Sequence, residues 1–305
     1  ATGLNTVDAT AYTGSLSVVA TGVNMDTRSN VLTGGTGTDT LTVTSSGDDD
    51  TIRVDGITLF ENINLTDDGD ATADTLTIAL SDTNVADGAT LTIDASGLTT
   101  DDATVDLSAD TNGNNVYNGG AGVDTVTLSA SDLADSITTN AGIDIINFAS
   151  ANLTSIDVID AGAGVDVMKV TDDVAIVDAD FTNVTNVETL SSGAGISTIV
   201  TLGAKAMGAG IATVNLVDTG TANDSVTVGA AFTSALTVDL DGTGVNTVDA
   251  TNYTGALTVT ANEIEMDDAV MVLTGGSGSD TLTIGLTTGA SLVAANLASV
   301  TNFET

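Results

Sequence analysis

The sequence predicts an all-β chain wound as a β-solenoid, of the right-handed parallel β-helix or β-roll kind. Short runs of Thr, Val, Ile and Leu alternate with Gly-, Asp- and Asn-rich turns along its 305 residues, the pattern of strands three to six residues long. Turn aspartates recur at 124, 144 and 166, a spacing of about 21 residues that suits a coil of two or three short strands. Residues 2–43 return at 243–284 without a gap, with 26 of the 42 aligned positions identical, as in repeat architectures. A β-sandwich, which also shows a strand every ~8–12 residues, is the alternative.

In chain order, strands are predicted at 40–43, 51–54, 75–78, 90–93, 125–128, 167–170, 197–202 and 226–228. Single helical turns are predicted at 131–134 and 204–207. At about 21 residues per coil the chain would make about 15 coils. The repeat marks residues 1–241 as one solenoid module and 242–305 as the start of a second copy, which reads as a window on a longer tandem protein. Tyr12 and Tyr253 fall at equivalent places in the two copies, which argues for a packing role. Phe60-Glu61-Asn62-Ile63, Asn186-Val187-Glu188-Thr189 and Asn302-Phe303-Glu304-Thr305 each join an apolar residue to one of five glutamates. They read as corners where the apolar side chain plugs the core and Glu accepts turn amides.

The stretch that organises the chain is LTGGTGTDTLTV at 32–43, repeated as LTGGSGSDTLTI at 273–284. GGxGxD stands complete at 34–39, 119–124 and 275–280, and in looser form at 142–144 and 161–166. Glycines in these places permit backbone conformations closed to side chains and let carbonyls converge. The aspartate supplies a hard anionic oxygen, the ligand that calcium prefers.

Composition narrows the function. The formal charge is −38, from 42 acids against Arg28, Arg53, Lys169 and Lys205. Of the acids, 37 are Asp and five are Glu, a bias that turns and calcium loops explain. Adaptation to high salt is the other explanation of so acidic a chain. The clusters at 48–50, 67–70, 101–102, 172–173 and 267–268 are candidate surface calcium sites, because adjacent carboxylates repel unless bridged or protonated. Such surfaces need divalent ions to pack side by side.

Nucleic acid is excluded as a partner, since the chain repels phosphate. No apolar run approaches the ~18 residues of a membrane span, so no membrane insertion is expected. Cys, His, Pro and Trp are absent, leaving neither a disulfide framework nor an HExxH zinc site. A glycosidase needs only two carboxylates, but such clefts are lined by aromatic residues. The expectation is that the protein is not an enzyme.

The phrases NTVDATAYTGSLSV (5–18), NTVDATNYTGALTV (246–259), IDVIDAGAGVDVMKV (156–170), VTNVETL (184–190) and LTGGSGSDTLTI carry a resemblance. The chain resembles bacterial repeats-in-toxin proteins, and more closely the surface-layer proteins that contain such repeats. The resemblance implies type I secretion, an extracellular, cell-surface location and a solenoid holding multiple Ca2+ ions. It also implies assembly with copies of itself into a lattice or filament, with cell-surface polysaccharide as a further partner. The expected function is a structural subunit of a surface layer or filament; the alternative is the stalk of a large secreted adhesin. Carried over by position, the calcium ligands would be Asp39 with carbonyls near Gly35 and Gly37, and Asp124 with Gly120 and Gly122. Asp144, then Asp166 with Gly162 and Gly164, and Asp280 with Gly276 and Gly278, would repeat the scheme. The chain departs from the tandem nonapeptide form, because its complete copies are solitary.

Overall fold

The computed structural model of the protein describes residues 5–26, 30–131, 133–173, 175–217, 223–241, 244–262, 266, 271–286, 292–294 and 296–305. The chain is an all-β parallel β-solenoid of about eleven turns. It divides into two compact units, Ala1–Asn147 with Ile156–Asp166, and Phe148–Ser155 with Val167–Thr305.

In the first unit the strands form three rows. The longest row stacks Ser17–Thr21, Thr40–Thr44, Asn62–Thr66, Thr90–Gly97, Asn114–Asn118, Ser136–Thr138 and Val158–Asp160 in that order. A second stacks Asp50–Arg53, Thr75–Ala79, Asp102–Asp106, Asp124–Thr127 and Ile145–Phe148. A short third row holds Thr6–Asp8, Val31–Thr33 and Ile57–Thr58. The second unit has a row from Val167–Val170 through Thr189–Ser191, Thr213–Val217, Leu236–Asp241 and Leu257–Asn262 to Thr281–Gly285. Its other row runs Ala175–Ile176, Ile199–Leu202, Ser225–Val228, Thr247–Asp249, Val272–Thr274, Val300–Thr301.

Period-two alternation sets the core. In Thr40–Thr44 the side chains of Leu41 and Val43 are fully buried while the threonines between them are half-exposed. The register then places like on like: Leu41 lies opposite Ile63, Ile63 opposite Ile93, Ile93 opposite Tyr117, Tyr117 opposite Ile137 and Ile137 opposite Ile159. All six are buried. At roughly 1.5–3 kcal/mol for each large apolar side chain taken from water, this ladder fixes the register. A one-residue slip would turn every one of these side chains outward.

The predicted strands are present, shifted by a residue or two at their ends, and Thr90–Gly97 is longer than predicted. The number of turns is lower than the sequence spacing predicts. Partners in adjacent turns lie from 20 residues apart, as Thr125 and Ile145 do, to 31 apart, as Thr66 and Gly97 do. The excess is taken up in loops outside the ladders, so a spacing read from the tightest turns overcounts coils. The helical turn predicted at 204–207 is present as Ala204–Ala209, ended by Gly210 at φ 106°. That predicted at 131–134 is not: Ser131 Oγ accepts the Leu133 amide at 3.1 Å, and the described residues there form no helix. The local hydroxyl competes with a helical backbone bond. A five-residue helix at Gly22–Asp26 was not predicted.

The sequence repeat is also a structural repeat. Thr6–Asp8, Val31–Thr33 and Thr40–Thr44 reappear as Thr247–Asp249, Val272–Thr274 and Thr281–Gly285, each 241 residues on.

Candidate functional site

The residues singled out by the GGxGxD pattern lie in the turns that lead into strands, where one coil touches the next. Asp39 is fully buried at the start of Thr40–Thr44. One carboxylate oxygen accepts the Gly35 amide of its own turn at 2.5 Å, and the other accepts the Leu16 amide of the preceding coil at 2.7 Å. The Asp39 amide in turn donates to Glu61 Oε2 of the following coil at 2.7 Å.

Asp280 reproduces the arrangement. It accepts from Gly276 at 2.6 Å and from Leu257 at 3.0 Å, while its own amide donates to Glu304 at 2.7 Å. Asp124 accepts from Gly120 at 2.9 Å and Ala103 at 3.1 Å, and donates to Asp144 at 2.8 Å. Asp144 donates to Asp166, also at 2.8 Å. Each aspartate thus caps a strand-leading amide of the coil before it, and its own amide is capped by an acid of the coil after it. The corner reading of Phe60-Glu61 holds in full: Phe60 is buried and Glu61 accepts the turn amide.

Sequence reasoning gave the turn glycines freedom of φ. None of the nine glycines in the three complete copies has φ between +20° and +160°. Their reason is close approach instead. A Cβ on Gly35 would lie 2.0 Å from the Tyr12 carbonyl oxygen, and one on Gly37 would lie 2.4 Å from that of Gly14. Gly276 and Gly278 meet Tyr253 and Gly255 at 2.1 and 1.9 Å, and Gly120 and Gly122 meet Leu98 and Asp101 at 2.6 and 2.4 Å. The looser copies mix both causes: Gly164 would meet the Gly142 oxygen at 1.8 Å, whereas Gly162 has φ +83° as well as the Asn140 oxygen at 1.9 Å.

Calcium takes roughly six to eight oxygens around it. What the structure sets around Asp39, Asp124 and Asp280 is amide hydrogens, and the turn carbonyls of Tyr12, Leu98 and Tyr253 accept Thr36, Ala121 and Ser277 at 3.0, 3.0 and 2.9 Å. These turns bring the predicted residues together, but as amide caps; arranged so, they do not fit a calcium shell. Among the described residues no three Asp or Glu side chains gather as a metal-holding group. Of the surface clusters, Asp48, Asp49, Asp68, Asp70 and Asp173 are exposed and Asp50 and Asp101 are buried; the pair at 267–268 lies outside the described residues.

Burial pushes the Asp124 carboxyl up to about 6, the Asp144 charge adding to it against the Gly120 and Ala103 amides. Asp135 and Asp144 are raised, first by burial. An acid with a higher pKa folded than unfolded takes up a proton on folding, so its contribution is full below 3.8 and is lost as pH rises through about 6. Asp124 alone is expected to make the fold more stable at pH 4.5 than at pH 7.5 by on the order of 2 kcal/mol. Urea midpoints at the two pH values check this. Asp124→Asn should flatten the dependence, and an unchanged slope in that variant would assign it to general charge repulsion instead.

Sequence reasoning missed the backbone conformation two residues before each corner glutamate. Leu59, just before the first corner, and Asn186 and Asn302, which open the other two, have φ of 58°, 58° and 57°. Asn tolerates this left-handed region; Leu does not. The clue was in the alignment of 59–62 with 302–305, where Leu stands against Asn. Leu59 is 43% exposed, so Leu59→Asn sacrifices little burial. It should raise stability by about 1 kcal/mol in thermal or urea melts.

Comparison with protein-family models, with curated proteins and with solved structures returned no match.

Proposed function

We propose that the protein is a structural subunit of an extracellular surface layer or filament, self-assembling and stiffened by calcium. One observation carries the reading: the strongest motifs in the chain serve coil-to-coil stacking. Turn glycines admit the neighbouring coil's carbonyls, and turn aspartates cap its amides. A chain whose most distinctive residues are committed to its own continuation fits a building element better than a catalyst. The charge of −38 supplies the place for calcium in this reading. Neighbouring copies repel through exposed carboxylates until divalent ions neutralise them.

Negative-stain electron microscopy in millimolar calcium, and again after a chelator, tests the proposal. Ordered sheets or filaments that disperse on chelation are expected. Separate particles under both conditions would overturn it and favour the stalk of a secreted adhesin.

A further inference from the structure

Asp74 stands where Asp39, Asp124 and Asp280 stand, directly before a run of the TLTI kind, but it is bonded differently. Each of those three accepts the amide four residues back, from Gly35, Gly120 or Gly276. Four residues before Asp74 is Asp70, whose amide goes to Asp68 Oδ1 at 2.9 Å. The Gly69 and Thr72 amides go to Asp67 and Asp70 at 2.8 and 2.6 Å. The loop spends its donors on its own acids. Asp74 is 7% exposed, and its Oδ2 is buried with no hydrogen-bond partner among the described residues.

One coil on, Asp101 faces it. The register that sets Thr75 opposite Asp102 brings the two aspartates side by side at the heads of their strands, with backbones about 4.8 Å apart. The Asp74 amide donates to Asp101 Oδ1 at 3.3 Å. Asp101 is 1% exposed, and its Oδ2 is likewise buried with no partner among the described residues. Two carboxylate oxygens on neighbouring coils are thus out of water and without a donor. An unpaired buried anion is costly, and two side by side repel. Burial, then Asp101, Asp70, Asp68 and Asp49 in that order, hold the Asp74 carboxyl above its usual range, and no base figures among the charges acting on it.

We infer that Asp74 and Asp101 are the side-chain ligands of one divalent cation, which ties their two coils together. Its donors are all oxygen, the chemistry that calcium takes. Asp49, Asp68 and Asp70 stand exposed beside the pair and raise the local cation concentration. With only two side chains on the ion and water for the rest, the site is weak, with a dissociation constant of roughly 0.1–1 mM. Both ligands belong to one chain, so the inference goes beyond assembly. It rests on the function proposed above only for taking calcium as the ion, and its test is blind to lattices.

Hydrogen exchange at the Asp74 and Asp102 amides reads the site, because these donate across the coil contact to Asp101 Oδ1 and to the Asp74 carbonyl. In about 0.5 M KCl, which screens the exposed acids, about 10 mM calcium should raise protection there about tenfold. Asp74→Asn removes one charge and keeps the shape. Without calcium it should be better protected than the native chain, because the repulsion is gone, and calcium should add nothing. Asp87→Asn, at an exposed acid elsewhere in the same unit, should respond to calcium as the native chain does. A calcium response that survives Asp74→Asn would overturn the assignment by placing the ion elsewhere. Native protection that calcium leaves unchanged would also overturn it, and a rise in that protection as the pH is lowered would show that the pair shares a proton instead.

Discussion

Gly164→Ala should break the stack at its turn and cost more than about 3 kcal/mol, the range reserved for clashes that packing cannot relieve. The new methyl would sit 1.8 Å from the Gly142 carbonyl oxygen, 3.0 Å from its carbon and 2.8 Å from Asp166 Oδ1. Two of these three atoms are backbone of the neighbouring coil and cannot swing aside. Relief requires the coils to separate, which lengthens the Ala163-to-Asn140 and Gly142-to-Ala163 hydrogen bonds, now 2.6 and 3.1 Å. Gly208→Ala is the control. Gly208 lies inside the helix Ala204–Ala209 with nothing within 4 Å of its Cβ position, so the same change there should stabilise by roughly 0.5–1 kcal/mol. Urea unfolding of both variants decides the matter. A Gly164→Ala chain as stable as the unaltered one would mean that the turns do not stack as closely as described.

Asp39→Ala should cost about 3 kcal/mol, because it strands the buried Gly35 amide, at roughly 1–3 kcal/mol for a buried orphan, and the part-buried Leu16 amide, which costs less. Asp39→Asn should cost less, since one oxygen remains to cap one amide. Asn246 already fills a ladder position of this kind, where its Oδ1 accepts the Asp224 amide at 3.1 Å. The order Ala worse than Asn, measured by chemical denaturation at neutral pH with and without calcium, separates capping from ion binding. If Asn proves as damaging as Ala only when calcium is present, the carboxylate charge rather than the amide cap is what Asp39 contributes.

The fold was largely legible because period-two runs of β-branched residues state which side chains face inward, and no helical period competes with them. Leu41, Ile63 and Ile93 can be placed in the core from sequence alone. The chemistry of the turns was not legible in the same way. GGxGxD fixes a tight turn with a carboxylate beside it, but whether that carboxylate meets an ion or an amide depends on the coil stacked against it. For Asp39 the partners are Leu16 and Glu61, each 22 or 23 residues away, and no local pattern names them. Gly37 shows the same limit. Its missing side chain is explained by the Gly14 carbonyl, which is near only after the chain has gone once around.

The caps made by the buried turn aspartates run in one sense. Asp39 serves Leu16, Asp124 serves Ala103, Asp224 serves Thr198 and Asp280 serves Leu257, each from the later coil to the earlier one, whereas exposed caps such as Asp49 on Thr75 and Asp102 on Val123 run the other way. Each unit therefore carries a chemical arrow along its winding. Two such stacks brought together with arrows opposed would set carboxylate against carboxylate or amide against amide. Aligned, they continue the same donor-to-acceptor sequence. A fibre grown from these units would have unlike ends, and growth at one end would be a different reaction from growth at the other.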